Sequence, residues 1–263
     1  MRMAVSSDGK EISRSKIIPT PPDFDQGIQA FKQIAYKLAN GQNFKGVAGG
    51  IAGPLDSEKT MLISSPHISG WVQKPLKITL EKIFKCKVFL ENDTALVGLG
   101  EAVRGAGVGY SIVAYLGIGT GIGGARIVKG KIDENALGFE PGHQIIVPDG
   151  NICNCKGKGH LEAYVGGLYI EKIYGQKAEN ITDPKIWDEI TKYLAVGLAN
   201  TIVHWSPHII ILGGSVMKSI PLSPLYKHLL QALTIFPNPP KVKQATLGQA
   251  AGFYGALTFL PSS

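Results

Sequence analysis

Residues 91–93 form a Glu-Asn-Asp triplet whose side chains could do acid–base chemistry. The triplet follows a short apolar segment, residues 87–90, that predicts a β-strand. An aspartate at the carboxyl end of a strand can take the proton of a substrate hydroxyl, and the amide of a neighbouring asparagine can orient that substrate. A structural role is the alternative, because Asn92 or Asp93 could cap a helix predicted at residues 94–103. On spacing alone, the helix cap is favoured.

Two cysteines and two histidines in the middle of the chain have the spacing of metal ligands. Cys153 and Cys155 form a Cys-x-Cys pair, His160 follows shortly after, and His143 can supply a fourth ligand. Zinc binds such a set of thiolates and imidazoles. Two reduced surface thiols are the alternative. The acid that follows, Glu162, suits the first turn of a helix, where the helix dipole stabilises a negative charge.

A glycine-rich segment at residues 117–124 could hold phosphate. Its glycines match the G-x-G-x-x-G dinucleotide fingerprint, but that fingerprint needs a helix after the glycines, and residues 125–128 predict a strand. The segment is therefore predicted to join two strands and to offer its backbone N–H groups and the Thr120 hydroxyl to a phosphate. A glycine hairpin without a ligand is the alternative.

A second glycine pair, Gly213 and Gly214, follows the apolar strand predicted at residues 208–212. In open α/β sheets, ligands bind beyond the carboxyl ends of the strands. Glycine at such a position lets a flat base or a phosphate approach the backbone. A tight strand-to-helix turn without a ligand explains the pair equally well.

Composition excludes several classes of protein. Apolar residues make up 44% and charged residues 18%, which excludes intrinsic disorder. The net charge of +7 comes from scattered lysines and arginines without interleaved aromatics, so we expect no nucleic-acid partner. The uncharged run at residues 105–125 is too rich in glycine for a membrane span, so we expect no contact with a membrane. Three cysteines argue against a disulfide scaffold and for the reducing cytoplasm.

Strands alternate with helices along the chain, which predicts the α/β class. A hairpin is predicted at residues 3–18, and a polar loop rich in Cys, Gly and Lys at residues 149–160. The other predicted strands are 46–51, 87–90, 111–116, 125–128, 131–132 and 208–212, and the predicted helices are 25–38, 75–84, 94–103, 183–205 and 250–260.

Taken in order, these segments resemble the ROK family (repressor, open reading frame, kinase), and in particular its glucokinase-like sugar kinases. The resemblance spans nearly the whole chain. It rests on residues 50–56 (G-x-x-G-P-x-D), 65–71 (S-P-N-L-x-G-W), 91–93 (E-N-D), 117–124 (a phosphate loop), 140–143 (E-x-G-H), 153–162 (the zinc signature C-x-C-G-x-x-G-C-x-E) and 212–214 (a loop beside adenosine).

The resemblance implies an actin-like, ribonuclease H-like ATPase fold of two α/β domains with a ligand cleft between them. Residues 1–94 would form the first domain, completed by a C-terminal helix at 250–263, and residues 95–249 would form the second, with the zinc loop. It also implies ATP-dependent phosphorylation of a hexose at its 6-hydroxyl, with ATP and Mg²⁺ as cofactors, a structural Zn²⁺ and assembly as a homodimer.

The resemblance also assigns roles to individual residues. Asp93 is the implied general base. The implied sugar-binding residues are Asn92, Glu140, His143 and Glu162, the implied ATP and phosphate contacts are Gly119, Thr120, Gly121, Gly213 and Gly214, and the implied zinc ligands are His143, Cys153, Cys155 and His160.

The chain departs from the family pattern at several positions. His160 stands in place of the third zinc cysteine, Lys156 in place of the glycine after the Cys-x-Cys pair, and His67 in place of an asparagine. The segment after Glu162 is also shorter than in the family.

The family's first strand, with its D-x-G-G-T phosphate loop, would lie before Met1. We therefore expect a break in the first sheet, between the strands at residues 2–6 and 46–51, and little useful turnover from residues 1–263.

Other functions remain open at this stage. The chain could be a sugar-binding or degenerate ROK protein that transfers no phosphate, or a kinase for another hexose such as fructose, mannose or an N-acetylated amino sugar. Glucose is the default substrate by resemblance only. A zinc-binding structural module is a weaker hypothesis, because it leaves Asn92, Asp93 and Glu140 unexplained.

Overall fold

The computed structural model describes residues 1–65 and 68–261. The departure from the family pattern at His67 and the end of the predicted C-terminal segment, residues 262–263, lie outside the described residues. Among the residues described, no helix is both long enough and apolar enough to cross a membrane.

The chain begins with the predicted hairpin and continues into two α/β segments. Strands β1 (Arg2–Val5) and β2 (Arg14–Ile17) pair antiparallel. They are followed by α1 (Phe24–Leu38), β3 (Gly46–Ile51), α2 (Leu76–Phe84) and β4 (Lys87–Asn92). Strands β3 and β4 pair parallel in a register that sets Ile51 opposite Asn92, so β4 runs two residues beyond its predicted end.

The core of this first part lies between α1, α2 and the β3–β4 pair. It contains Phe24, Ile28, Trp71, Leu80 and Leu90. In the part of the chain that the structure describes, β1–β2 and β3–β4 are separate two-stranded sheets, and no ladder joins them. The break predicted between these strands is therefore present.

The second part is built on a five-stranded sheet in the order β7-β6-β5-β8-β9. Its strands are β5 (Ile112–Ile118), β6 (Ile122–Val128), β7 (Lys131–Ile132), β8 (Ile209–Gly213) and β9 (Lys241–Gln244). Strand β5 runs antiparallel to β6 and parallel to β8. The predicted start of β6 at residue 125 and the predicted loop at 117–124 are wrong. The loop spans only residues 119–121, because Ile118 pairs with Ile122.

Six helices complete the described part of the chain. They are α3 (Asp93–Arg104), α4 (Glu162–Val165), α5 (Gly167–Tyr174), α6 (Pro184–Trp205), α7 (Leu222–Ala232) and α8 (Ala251–Phe259). Alternate residues of β5 enter two different cores: Ala114 and Leu116 lie in the core that includes α6 and α7, and Val113 and Tyr115 lie in the core that includes α3. The helix start suggested at Glu162 is the start of α4. The sequence did not predict α5, α7 or β9.

Helices α3 and α8 cross at backbone contact. A Cβ atom on Gly100 would overlap the carbonyl oxygen of Ala251, and a Cβ atom on Gly255 would overlap the carbonyl oxygen of Leu96. Only glycine fits at these two positions, so α8, near the end of the chain, is held against α3 in one relative position.

A buried carboxylate fixes the segment that leads into α8. Glu101 of α3 is fully buried. Its carboxylate accepts backbone N–H groups from Ala106 at 3.1 Å, Thr246 at 3.0 Å and Leu247 at 2.7 Å. A buried charge is costly unless it is fully hydrogen-bonded, and these bonds supply that compensation.

We predict opposite effects from two Gly→Ala substitutions in α8. Gly255→Ala should lower the free energy of unfolding by about 1–3 kcal/mol, because its Cβ overlaps the backbone of α3. Gly252→Ala should leave the stability unchanged or raise it by about 0.5–1 kcal/mol, since its Cβ would meet its nearest neighbour, Val97, at 3.5 Å. Urea unfolding of both variants measures the difference. Equal stabilities would show that the helices have room to separate.

Candidate active site

Asn92 is the residue that caps α3. Its side-chain oxygen accepts the N–H groups of Thr94 at 2.9 Å and Ala95 at 3.2 Å, and its amide nitrogen donates to the Gly53 carbonyl at 3.4 Å. The cap that spacing alone left undecided between two residues therefore belongs to Asn92. The amide keeps one N–H for another partner, because its bonds to the described residues use only one of its two donors.

Asp93 begins the helix and takes no part in the cap. Among the described residues, its carboxylate has one long hydrogen bond, accepted from the Thr94 hydroxyl at 3.4 Å. The side chain is half-buried. A carboxylate at a helix N-terminus that accepts few hydrogen bonds from the protein has oxygen atoms free to accept a substrate proton.

The start of α3 lies where the first strands meet the large sheet. A Cβ atom on Gly50 of β3 would approach the Asp93 Cα to 2.7 Å. On the other side, a Cβ atom on Gly123 of β6 would lie 2.8 Å from the Thr94 hydroxyl. Glycine at both positions thus allows backbone from two sheets to reach the first two residues of α3, Asp93 and Thr94.

The two glycine segments that could bind phosphate are neighbours. A Cβ atom on Gly119 would lie 3.9 Å from the Ser215 hydroxyl, which follows Gly213 and Gly214. The carbonyls of Gly119 and Thr120 accept N–H groups from Gly167 at 2.7 Å and Leu168 at 3.1 Å. These bonds fix the backbone of the β5–β6 loop and leave the exposed Thr120 side chain without a hydrogen bond to any described residue.

Glu162 joins this loop to the Cys/His cluster. One of its carboxylate oxygens accepts the Ile122 N–H at 2.8 Å, directly after the glycine loop. The other accepts from the Cys153 thiol at 3.7 Å. The carboxylate is therefore placed between the hairpin and the cluster, a position that the sequence could not indicate.

Glu140 and His143 border the same region. Glu140 is open to solvent, yet the protein atoms around its carboxyl raise its pKa, and the charges of Glu162 and Asp93 act in the same direction while His143 opposes them. The charges of Glu162 and Asp93 thus act on the Glu140 carboxyl, as expected if the three groups face a common cleft. A cavity of about 420 Å³ also touches Glu140 and His143, but it lies against α6 and neither Asp93 nor the glycine loops line it.

The four predicted metal ligands are brought together. One ligand atom from each of His143, Cys153, Cys155 and His160 lies within 4.8 Å of all the others. Cys155 Sγ is 3.2 Å from His160 Nδ1, and His143 Nδ1 is 3.3 Å from the same nitrogen. Burial and the neighbouring His143 lower the pKa of His160, which keeps its imidazole in the neutral form that binds metals.

The loop that carries these ligands tolerates the Lys156 departure. Lys156 has a φ of +71°, in the left-handed region that favours glycine. Its N–H donates to the Cys153 carbonyl at 2.8 Å, and the Cys153 N–H donates to the Gly157 carbonyl at 2.8 Å. The turn that the family makes with glycine is thus formed here by a strained lysine, held by hydrogen bonds on both sides.

One charged pair near the site was not predicted from the sequence. Glu91 is buried and forms an ion pair with Lys59, and one of its oxygens accepts the Asn92 N–H at 2.9 Å. The first member of the Glu-Asn-Asp triplet is therefore a structural residue. No local pattern links Lys59 to Glu91, so the sequence offered no signal for the pair.

Comparisons with known proteins give a consistent picture. The sequence model of the ROK family matches residues 1–262. The glucokinase of Thermotoga maritima is 28% identical to the chain, over 97% of the chain and 92% of that protein. A ROK hexokinase structure from Thermus thermophilus matches with a TM-score of 0.84 at 29% identity, over 95% of this chain and 91% of that one. A ROK family glucokinase from Streptomyces griseus, in complex with glucose and AMPPNP, matches with a TM-score of 0.80 at 26% identity, over 97% of this chain and 95% of that one.

We predict that the cap assignment is measurable as stability. Asn92→Ala should lower the free energy of unfolding by about 1 kcal/mol, because two N–H groups at the start of α3 lose their acceptor. Asn92→Ser, which keeps an oxygen suited to capping, should lose much less. Thermal and urea unfolding of the two variants test this, and an alanine variant as stable as the serine variant contradicts the assignment.

Proposed function

The chain belongs to the ROK family and has its actin-like ATPase fold, and from this premise we propose that it is an ATP-dependent hexose kinase. It transfers the γ-phosphoryl group of ATP to the 6-hydroxyl of a hexose, with glucose as the default substrate. The observation that carries the proposal is the position of Asp93. Its carboxylate is free of the helix cap. Its backbone packs against Gly50 of β3, and the next residue, Thr94, packs against Gly117 of β5 and Gly123 of β6.

The relatives support the substrate class. The similar protein of Thermotoga maritima is a glucokinase, and the similar structure from Streptomyces griseus holds glucose and an ATP analogue. Both similarities extend over more than nine-tenths of this chain. A hexose and ATP are therefore the first ligands to test.

Asp93 is the proposed general base. Its carboxylate accepts the proton of the sugar 6-hydroxyl as that oxygen attacks the γ-phosphorus, and ADP leaves on the opposite side. The Thr94 hydroxyl bonds one oxygen of this carboxylate at 3.4 Å, which leaves the rest of its acceptor capacity to the substrate. The proton moves to Asp93, and the transferred group ends on the sugar.

Four side chains are proposed to hold the other sugar hydroxyls: Asn92, Glu140, His143 and Glu162. Carboxylates accept hydrogen bonds from hydroxyl groups, and the remaining N–H of the Asn92 amide can donate a hydrogen bond to a sugar oxygen. Desolvation by the surrounding protein is the main cause of the raised pKa of Glu140, and the charges of Glu162 and Asp93 add to it. A site with placed polar groups also discriminates strongly between hexoses that differ in one hydroxyl.

The phosphates of ATP are proposed to lie along two glycine segments. Thr120 and Gly121 offer backbone N–H groups and one hydroxyl, and Gly119, whose own N–H donates to the Gly121 carbonyl at 2.9 Å, lets a phosphate approach the backbone closely. Gly213 and Gly214 lie beside them at the end of β8. Such backbone donors hold phosphate oxygens without a charged side chain. ATP enters as its Mg²⁺ complex, in which the ion reduces the negative charge of the phosphates.

Zinc fits the Cys/His cluster. Two sulfur and two nitrogen ligands within one small volume are a donor set that Zn²⁺ binds with tetrahedral geometry, and a site filled by four protein ligands is structural. His143, Cys153, Cys155 and His160 would hold the ion. Because His143 also borders the sugar residues, and Cys153 bonds Glu162, the ion would order the sugar side of the site without contacting phosphate.

The division into domains is also a proposal. Residues 1–94 and the helix at 250–263 would form one domain, and residues 95–249 the other. The contact of the Leu260 side chain with Gly46 of β3 supports the return of the chain end to the first domain. Assembly as a homodimer stays a prediction.

We predict that Asp93→Asn lowers turnover by about 10²–10⁴-fold, since an amide cannot take the hydroxyl proton. Hexose affinity should stay near that of the unmodified chain, because the amide has almost the same shape. Turnover is measured with Mg-ATP and glucose, and affinity by calorimetry. Asp25→Asn, at an exposed position in the first turn of α1, is the matched control and should change neither quantity.

The same experiment separates the proposed function from its alternatives. An Asp93→Asn variant that keeps nearly full turnover removes the general base from the mechanism. An unmodified chain that binds hexose but forms no sugar phosphate is a sugar-binding protein and contradicts the proposed kinase. Faster turnover with fructose, mannose or an N-acetylated amino sugar than with glucose identifies a kinase for another hexose.

We predict one zinc ion per chain. Elemental analysis of the purified protein should find it, and Cys153→Ser should lose most of it together with hexose affinity, because the buried thiol is both a ligand and a partner of Glu162. Cys86→Ser is the control, since Cys86 lies outside the cluster and should leave the zinc content unchanged. Full zinc content in the Cys153→Ser variant contradicts the site.

A further inference from the structure

Tyr115 is a buried tyrosine at the floor of the proposed site. It lies on β5 with 3% of its surface exposed, and its ring packs in the core beneath α3. A Cβ atom on Gly98 of α3 would lie 2.8 Å from the Tyr115 Cβ, so the helix rests directly on this residue. The ring is thereby held in one place.

The hydroxyl of Tyr115 reaches the carboxyl ends of two parallel strands. Gly117 of β5 and Gly213 of β8 are paired residues in the sheet. A Cβ atom on Gly213 would overlap the Tyr115 hydroxyl oxygen, and a Cβ atom on Gly117 would lie 3.5 Å from it. This edge of an α/β sheet is where ligands bind, and Gly213 is one of the proposed ATP contacts.

This hydroxyl has no hydrogen bond to any residue that the structure describes. Buried tyrosine hydroxyls usually have a partner. In the described part of the chain, Gln144 Oε1 is the one polar side-chain atom that is both fully buried and without a hydrogen-bond partner. The Tyr115 hydroxyl oxygen also has no partner, so it is not fully buried. The hydroxyl is therefore accessible to solvent at a position beside Gly117 and Gly213.

The electrostatic surroundings keep this hydroxyl protonated. Burial raises the pKa of Tyr115, and the negative charges of Glu101 and Asp93 raise it further. A protonated hydroxyl can donate a hydrogen bond, and the ligand assigned to this edge of the sheet carries anionic oxygens. Donor and ligand are thus complementary.

We infer, on the basis of the proposed function, that the Tyr115 hydroxyl donates a hydrogen bond to a phosphate oxygen of the bound nucleotide. Tyr115 is then a side-chain phosphate contact in a site whose other proposed phosphate contacts are mainly backbone groups. The inference also explains why glycine occupies both paired positions beside the ring. Gly117 and Gly213 leave the hydroxyl and a phosphate room to meet over the sheet.

Tyr115→Phe tests the inference, because phenylalanine keeps the ring and removes only the hydroxyl. The affinity for a non-hydrolysable ATP analogue with Mg²⁺, measured by calorimetry, should fall about 10-fold, as expected for the loss of one hydrogen bond to a charged group. The KM for ATP should rise similarly, while hexose affinity and the melting temperature stay unchanged. Tyr110→Phe is the matched control. The Tyr110 hydroxyl likewise has no partner among the described residues, but the Tyr110 ring lies beneath Lys243.

Three results would overturn the inference. Analogue affinity in Tyr115→Phe within about twofold of the unmodified chain means that the hydroxyl bonds only water. Parallel losses of hexose affinity, nucleotide affinity and melting temperature mean that Tyr115 acts by packing alone. An unmodified chain that binds no ATP analogue contradicts the kinase function together with the inference, whereas equal binding by both proteins contradicts the inference alone.

Discussion

Backbone packing of α3 against α8 and against the large sheet fixes where Asp93 lies. Gly100 and Gly255 bring the two helices into contact, and Gly98 sets α3 on the ring of Tyr115. Such contacts permit little sliding of α3 along its neighbours, because the space that a Cβ atom would fill at each glycine is occupied by a neighbour's backbone or ring. The first residue of α3 therefore takes its position from packing along the whole helix, and the half-buried carboxylate needs few hydrogen bonds of its own.

The proposed phosphate loop and Glu162 are linked through the β5–β6 hairpin. The loop at residues 119–121 is held from below by α5, and its next residue, Ile122, is bonded to Glu162. Glu162 in turn contacts Cys153 of the metal cluster. A chain of short contacts thus runs from the proposed phosphate loop to the proposed zinc site. Disorder at the cluster would be transmitted to the residues that are proposed to hold the sugar.

The sequence predicted local features well where the signal was contiguous in the chain. The four proposed metal ligands lie within a short segment, so spacing alone grouped them. The predicted bounds of β3 and α6 agree with the structure to within one residue. The prediction was wrong where a strand is rich in glycine. Gly123 and Gly124 were predicted as loop residues, although they form ladder pairs with Gly117 and Leu116. The partners Lys59 of Glu91 and Gly53 of Asn92 lie far away in sequence, and only the folded chain brings them together.

The central claim is that this site moves a phosphoryl group from ATP to a hexose, and product analysis tests it most directly. The purified chain is incubated with ATP, Mg²⁺ and glucose at high protein concentration for many hours, so that even slow turnover yields product, and phosphorus NMR follows the reaction. The account predicts equal amounts of ADP and a sugar phosphate that carries its phosphate on the 6-oxygen. ATP that stays intact, or that releases free phosphate at the same rate with and without glucose, would contradict it.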